Sequence, residues 1–216
     1  MEYYSTLRTR LIDGLKQRGY IQSDVVEKAM RSVPREKFIP SSRIKRAYYD
    51  QPLDIGNGQT ISAPHMVAIM TEAMNLSSGQ KVLEIGTGSG YHAAVVASVI
   101  GKNGVVYSVE RFEDLAEVSQ QRLEETGFNN VKVMVGDGSK GLDEFAPYDR
   151  IYVTCSSPDV PQPLKNQIRI DGKIVIPVGR ISAELLVLTR TEQGFETVSH
   201  GGCAFVPLVG KYGFYD

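Results

Sequence analysis

The sequence predicts an α/β fold, a mostly parallel sheet with helices on both faces. Three observations lead there. Between residues 81 and 177 short apolar runs alternate with stretches at helical spacing, the rhythm of strand–helix–strand units. One run, V-L-E-I at 82–85, passes at once into a glycine loop, G-T-G-S-G at 86–90, and then into a helical pattern. That order is the one by which a Rossmann-like fold brings backbone close to a nucleotide-like ligand. Finally, 216 residues at 42% hydrophobic and 23% charged suffice for one substantial core.

The elements follow in order. Residues 3–18 carry Leu7, Leu11, Ile12 and Leu15 at helical spacing, and Gly19 is a stop. Ser23 or Asp24 caps a second helix running to about Arg31, with Val25, Val26, Ala29 and Met30 as its apolar side. Pro34 ends it, because the residue before a proline avoids the helical region. A further short helix is expected at 43–49. Gly56, Asn57 and Gly58 mark a turn, and 59–62 reads as too short and polar for core. Pro64 suits the first turn of a helix over about 65–74, which makes Ser62 a candidate N-cap.

Seven strands are then predicted, at 81–85, 105–109, 131–135, 150–154, 173–177, 185–189 and 204–208. Helices fall at 92–100, 112–126 and about 162–170. The last two strands have no long helix between them, so they should be antiparallel at one edge. There is no internal repeat or long linker. One domain, 1–216, is expected: 1–78 as a helical cap and substrate segment, 79–216 as the cofactor-binding core.

The bulk numbers exclude some functions. No apolar run nears the ~20 residues that span a bilayer, so no membrane partner is expected. The start, M-E-Y-Y-S-T-L-R, is too polar for a signal peptide, and a cytoplasmic location is expected. Cys155 and Cys203 have no metal-ligand spacing and should be free thiols. The net charge of −1 argues against a nucleic-acid partner. Residues 1–60 hold 11 Lys+Arg against 7 Asp+Glu, a mildly basic part that could attract an acidic substrate or simply be a solvated face. His65, His92 and His200 lack zinc-site spacing, and neither a P-loop nor a G-x-S-x-G elbow is present.

In an open α/β sheet the ligand sits beyond the carboxyl ends of the strands. Glu84, Glu110 and Asp137 stand at three such ends. Glu110 follows Gly90 by 20 residues, the distance at which a carboxylate reaches a ribose diol. Asp137, in G-D-G, is expected to accept from an adenine amino group, and Glu84 to hold the glycine loop or meet an ammonium. The loop spacing is G-x-G-x-G, with Tyr91 where a dinucleotide fingerprint needs its last glycine. It resembles the first motif of S-adenosylmethionine-dependent methyltransferases.

A more specific resemblance runs through nearly the whole chain. V-P-R-E-K-F-I-P at 33–40, G-Q-T-I-S-A-P-H-M at 58–66, the glycine loop, G-D-G at 136–138, I-V-I-P-V-G at 174–179 and F-V-P-L at 205–208 stand in order. Together they are similar to the protein-L-isoaspartate O-methyltransferase family. The resemblance implies S-adenosylmethionine as cofactor, S-adenosylhomocysteine as product and no metal. Its acceptor would be the free α-carboxylate of an L-isoaspartyl residue in a damaged protein or peptide, and the chain would be a monomer. It implies Ser62 as the active-site serine, with His65 and Met66 lining the site. Gly86, Gly88, Gly90, Glu84, Glu110, Arg111, Asp137 and Gly138 would hold the cofactor. Leu208 and Val209 would lie along the bound peptide. T-C-S-S-P at 154–158 departs from the family's alanine-rich segment, so Cys155 could make the site oxidation-sensitive, and Asp54 stands where proline is common. A methyltransferase acting on nucleic acid, and a non-catalytic S-adenosylmethionine-binding protein, are the competing readings.

Overall fold

The computed structural model describes residues 2–180 and 182–215. Two helices come first, α1 (Glu2–Gln17) and α2 (Asp24–Ser32). The Val26 amide donates to Ser23 Oγ, the cap expected from sequence. The short helix expected at 43–49 is a 3-10 turn, Ser41–Arg46, and Arg35–Phe38 forms another. The segment 59–62, read as too short and polar for core, supplies one strand of a small hairpin, β1 (Leu53–Gly56) with β2 (Gln59–Ile61). Its turn is Asn57-Gly58, a hairpin signal, and Leu53, Ile55 and Ile61 are buried. Helix α3 (Pro64–Met74) follows.

The main sheet has seven strands: β3 (Lys81–Ile85), β4 (Val105–Glu110), β5 (Val131–Val135), β6 (Tyr148–Val153), β7 (Ile168–Val178), β8 (Ala183–Thr191) and β9 (Gly194–Cys203). Their order is β5-β4-β3-β6-β7-β8-β9. The pairs from β5 to β7 are parallel; β8 and β9 are added antiparallel, as expected for strands joined without a helix. Alternate residues face opposite cores. Val82, Val106 and Val175 pack with helices α3 and α4 (Tyr91–Ile100) and with Leu123 of α5 (Glu113–Glu125). Leu83, Ile85, Ile151 and Ile174 pack on the other face with Leu164 of α6 (Gln162–Gln167).

Two elements depart most from expectation. Helix α6 ends at Gln167, and β7 begins there rather than at 173. The run 204–208 is not the seventh strand; that place belongs to β9. Strand β9 is exposed along almost its whole length, so it lacks the apolar pattern that marks a strand. The apolar run 204–208 instead returns across the end of β6, where the Ser156 amide donates to the Val206 carbonyl (2.8 Å) and the Leu208 amide to the Ser156 carbonyl (2.7 Å). Strand order reverses between β3 and β6, and a crevice opens above their carboxyl ends.

Candidate active site

A cavity lies in that crevice, with about 730 Å³ of empty space when its open mouth is counted. The end of β3 and its glycine loop form the floor, through Glu84, Gly86 and Gly88. Val109, Glu110 and Arg111 wall one side; Thr154 and Cys155, after β6, wall the other. Residues 59–62 arch over it from the β1–β2 hairpin, and residues 206–209 close the remaining side.

The loop needs its glycines. Gly86 has φ +92°, and a Cβ there would lie 2.4 Å from Thr154 Oγ1, whose hydroxyl donates to the Gly86 carbonyl at 2.5 Å. Gly90 lies outside the cavity wall. It begins α4, and a Cβ there would press to 3.3 Å on Leu123, so its role is packing against α5. Glu110 ties loop to strand: the Gly88 amide donates to Oε2 at 2.8 Å, and the Arg111 and Phe112 amides donate to Oε1 at 2.9 and 3.2 Å. The hairpin is fixed over the loop by Asn57 Nδ2, 2.9 Å from both Asp114 carboxylate oxygens, and by Ile55 packing toward Gly88.

Two buried groups in the wall have atoms with no partner. The Ser108 hydroxyl donates to Glu84 Oε2, while Glu84 Oε1 is orphaned. Burial, with a smaller push from Glu110, moves the Glu84 carboxyl up to about 8, against the pull of the Ser108 and Tyr152 hydroxyls. His92 is equally buried, and its imidazole is pushed down to about 3, so it is neutral at pH 7. The Thr71 hydroxyl donates to the Val67 carbonyl (2.7 Å), so its oxygen accepts from His92 Nε2 at 3.1 Å. That leaves His92 Nδ1 as a bare, orphaned acceptor. A bare imidazole nitrogen, and a carboxyl that a neighbouring cation would ionise, fit a ligand that brings charged hydrogen-bond donors, such as the ammonium of S-adenosylmethionine.

Most of the expected site residues meet here: Ser62, Glu84, Gly86, Gly88, Glu110, Arg111, Gly138, Leu208 and Val209 all line the cavity. Others do not. His65 lies off the wall, its Nδ1 2.8 Å from Asp50 Oδ1 and its ring 5.5 Å from Tyr20. Met66 is also outside the wall and packs against the helical core. The Asp137 carboxylate turns away to accept from the Ser139 amide (3.0 Å) and the Lys211 amide (3.0 Å), so it stitches the C-terminal segment to the β5 turn. Ser62 is not the cap of α3: Ala63 holds that place without a side-chain bond, and the His65 amide donates to Asp50 Oδ1 at 2.9 Å. Sequence reasoning missed Thr154, His92 and Arg35. The burial of His92 and Arg35 is set by packing partners far along the chain; only Arg35, inside the V-P-R-E-K-F run, carried a signal.

Cys155 is buried and its thiol is pushed well above the ordinary range by burial, then by Glu110 and Glu84. Both cysteines are free. Among the described residues no group of His, Cys, Asp or Glu is arranged to hold a metal, and no helix is long and apolar enough to cross a membrane.

Comparison with known proteins agrees with this architecture. A family model described as protein-L-isoaspartate(D-aspartate) O-methyltransferase matches residues 6–213. A protein-L-isoaspartate O-methyltransferase of Methanopyrus kandleri is 54% identical over 212 residues, 97% of this chain and 94% of that one. A solved protein-L-isoaspartate O-methyltransferase superposes with TM-score 0.87 at 32% identity, over 95% of this chain and 67% of the other. A second solved structure, from Plasmodium falciparum and bound to S-adenosyl-L-homocysteine, has TM-score 0.83 at 27% identity over 94% of this chain and 98% of that one. The switch-point cavity carries the glycine loop, the match runs almost end to end, and the chain belongs to the protein-L-isoaspartate(D-aspartate) O-methyltransferase family.

Proposed function

We infer that this chain transfers a methyl group from S-adenosylmethionine to the free α-carboxylate of L-isoaspartyl residues in proteins and peptides. The ester then closes to a succinimide, whose hydrolysis returns some ordinary aspartate. One observation carries the reading: Ser62, on the arm from the hairpin, faces the same cavity as the glycine loop. Acceptor and donor sides would then share one cavity.

The chemistry asks little of the protein. S-adenosylmethionine, when bound, supplies a methyl group already activated on a sulfonium. A carboxylate with a pKa near ~4 is ionised at neutral pH and needs no general base. What remains is alignment, exclusion of water and charge compensation. The Ser62 hydroxyl has no partner among the described residues and can donate to one carboxylate oxygen, leaving the other aimed at the methyl. Glu110 would accept from the ribose hydroxyls with the lone pairs its backbone donors leave free, and Glu84 and His92 would accept from the ammonium. Gly86, Gly88 and Gly138 let backbone close on the cofactor, with Arg111 beside it. Leu208 and Val209 run beside the peptide.

The acceptor is protein rather than nucleic acid, the reaction uses no metal, and the enzyme works as a monomer in the cytoplasm. Methyl incorporation into an isoaspartyl peptide, its aspartyl twin and an RNA tests the assignment. Labelling of the isoaspartyl peptide alone is expected. Labelling of RNA, or equal labelling of both peptides, would overturn it.

A further inference from the structure

Arg35 is fully buried, yet no carboxylate pairs with it among the described residues. Its Nε donates to the Ala47 carbonyl at 2.9 Å and its Nη2 to the Ser62 carbonyl at 2.8 Å. Its guanidinium lies 4.9 Å from the centre of the Tyr91 ring, at the start of α4 directly after the glycine loop. Its Nη1 has no partner at all. The nearby acids are engaged elsewhere: Glu36 with Arg8 and the Tyr48 hydroxyl, Asp50 with His65 and Arg18. A buried charge without a contacting counter-ion is costly, and the more distant pull of Asp50 does not outweigh the burial.

The bond to Ser62 has a geometric consequence. The only cis peptide among the described residues is Ala146-Pro147, so the Ser62–Ala63 peptide is trans. In a trans peptide the carbonyl and the next amide point opposite ways. Holding the Ser62 carbonyl on Arg35 turns the Ala63 amide away from the guanidinium. Among the described residues neither that amide nor the Ser62 hydroxyl has a partner; Ser62 lines the cavity, and Ala63, next in the chain, is buried and not itself in the wall.

We propose that Arg35 is a positioning residue for methyl transfer: it clamps the Ser62 carbonyl so that the Ser62 hydroxyl and Ala63 amide form a two-donor cradle, and its uncompensated charge makes that cradle selective for an anionic acceptor. The substrate's carboxylate is then the counter-ion that the fold withholds from Arg35. The proposal rests on the functional reading above, which supplies the carboxylate. Burial lowers the guanidinium only to about 10, so it stays charged through the neutral range.

The test compares two peptides: an isoaspartyl peptide with its free α-carboxylate, and the same peptide as the neutral α-carboxamide, read as a competitive binder. In Arg35→Met the preference for the carboxylate over the carboxamide is expected to fall about 10- to 100-fold, the worth of one charge-assisted contact. S-adenosylmethionine affinity should change less than about twofold. Arg35→Lys keeps the charge but not the fork, so it should retain much of the preference while turnover falls about tenfold or more. Equal loss of affinity for both peptides in Arg35→Met would make Arg35 merely structural and overturn the proposal. If that variant does not fold, normal turnover in Arg35→Lys overturns it instead. A wild-type enzyme that leaves the isoaspartyl peptide unmethylated would sink the functional reading. Wild-type methylation with an unchanged carboxylate preference in the variants would sink only the Arg35 assignment.

Discussion

Asp50 closes the first turn of helix α3, its Oδ1 accepting from the His65 amide at 2.9 Å and lying 2.8 Å from His65 Nδ1. Ser62, two residues before the helix, is thereby released from capping. Asp50→Ala should cost about 1 kcal/mol, a fall in Tm of roughly 2–4 °C. Ser62→Ala should leave Tm almost unmoved yet reduce methyl transfer by about 100-fold or more, with cofactor affinity kept. Thermal unfolding and a peptide methylation assay check both. Near-normal turnover in Ser62→Ala would remove the serine from the mechanism.

Glu110 joins the second loop glycine to the end of β4 through the Gly88 amide. Glu110→Ala removes that tie together with the proposed ribose acceptor. S-adenosylmethionine affinity should fall about 10- to 100-fold by calorimetry. Unchanged affinity would end the ribose assignment.

Glu84 and His92 set opposing pH dependences. The folded protein holds the Glu84 proton up to about pH 8, whereas its ordinary value is 4.5. Its contribution to stability is therefore full below about 4.5 and is lost as pH rises to about 8. His92 titrates at about 3 instead of 6.5, so its contribution is full above about 6.5 and is lost as pH falls to about 3. Each slope is at most about 1.4 kcal/mol per pH unit, and the two cancel between 4.5 and 6.5. The lowered carboxyls of Asp50 and Asp137 steepen the acid limb further. Urea unfolding from pH 4 to 8.5 should show a plateau between 4.5 and 6.5 and a decline above it. Glu84→Gln should flatten the decline between 6.5 and 8; an unchanged slope would acquit Glu84.

Gly86→Ala forces a side chain into φ +92° and against Thr154 Oγ1. A loss of about 1–3 kcal/mol is expected. Adding Thr154→Ala removes the clash but not the backbone strain, so it should recover part of the loss. Full additivity in a double-mutant cycle would show that the clash is absent.

Cys155 should resist modification despite lining the cavity. The thiolate is the reactive form, and burial holds this thiol protonated. Iodoacetamide is expected to label Cys203, which is partly exposed, before Cys155. The reverse order by mass spectrometry would restore the oxidation sensitivity that the sequence suggested.

The sheet core was legible in sequence because its strands are local signals. Residues 81–85 and 131–135 are continuous apolar or alternating runs, and β3 and β5 occupy those same limits. β9 was not legible: an edge strand exposed on both faces carries no apolar period. Within the site, the glycine loop, Glu84 and Glu110 were found because strand ends and glycine spacing mark them. For Asp137 the strand end said nothing of the Lys211 amide 74 residues on, which donates to its carboxylate.

By itself, then, the sequence determined the α/β class, the parallel core and the glycine loop, whereas Ser62 entered only through the family resemblance, its position alone reading as a helix cap. Those depend on periodicity and on motifs a few residues long. Tertiary structure alone decided that Asp50 caps α3, that His65 and Asp137 leave the cavity, and that Arg35 is buried unpaired against the Ser62 carbonyl. Each of these turns on desolvation and on which partner reaches a group first. Both are set by residues 15 to 74 positions apart in the chain, and no local pattern encodes them.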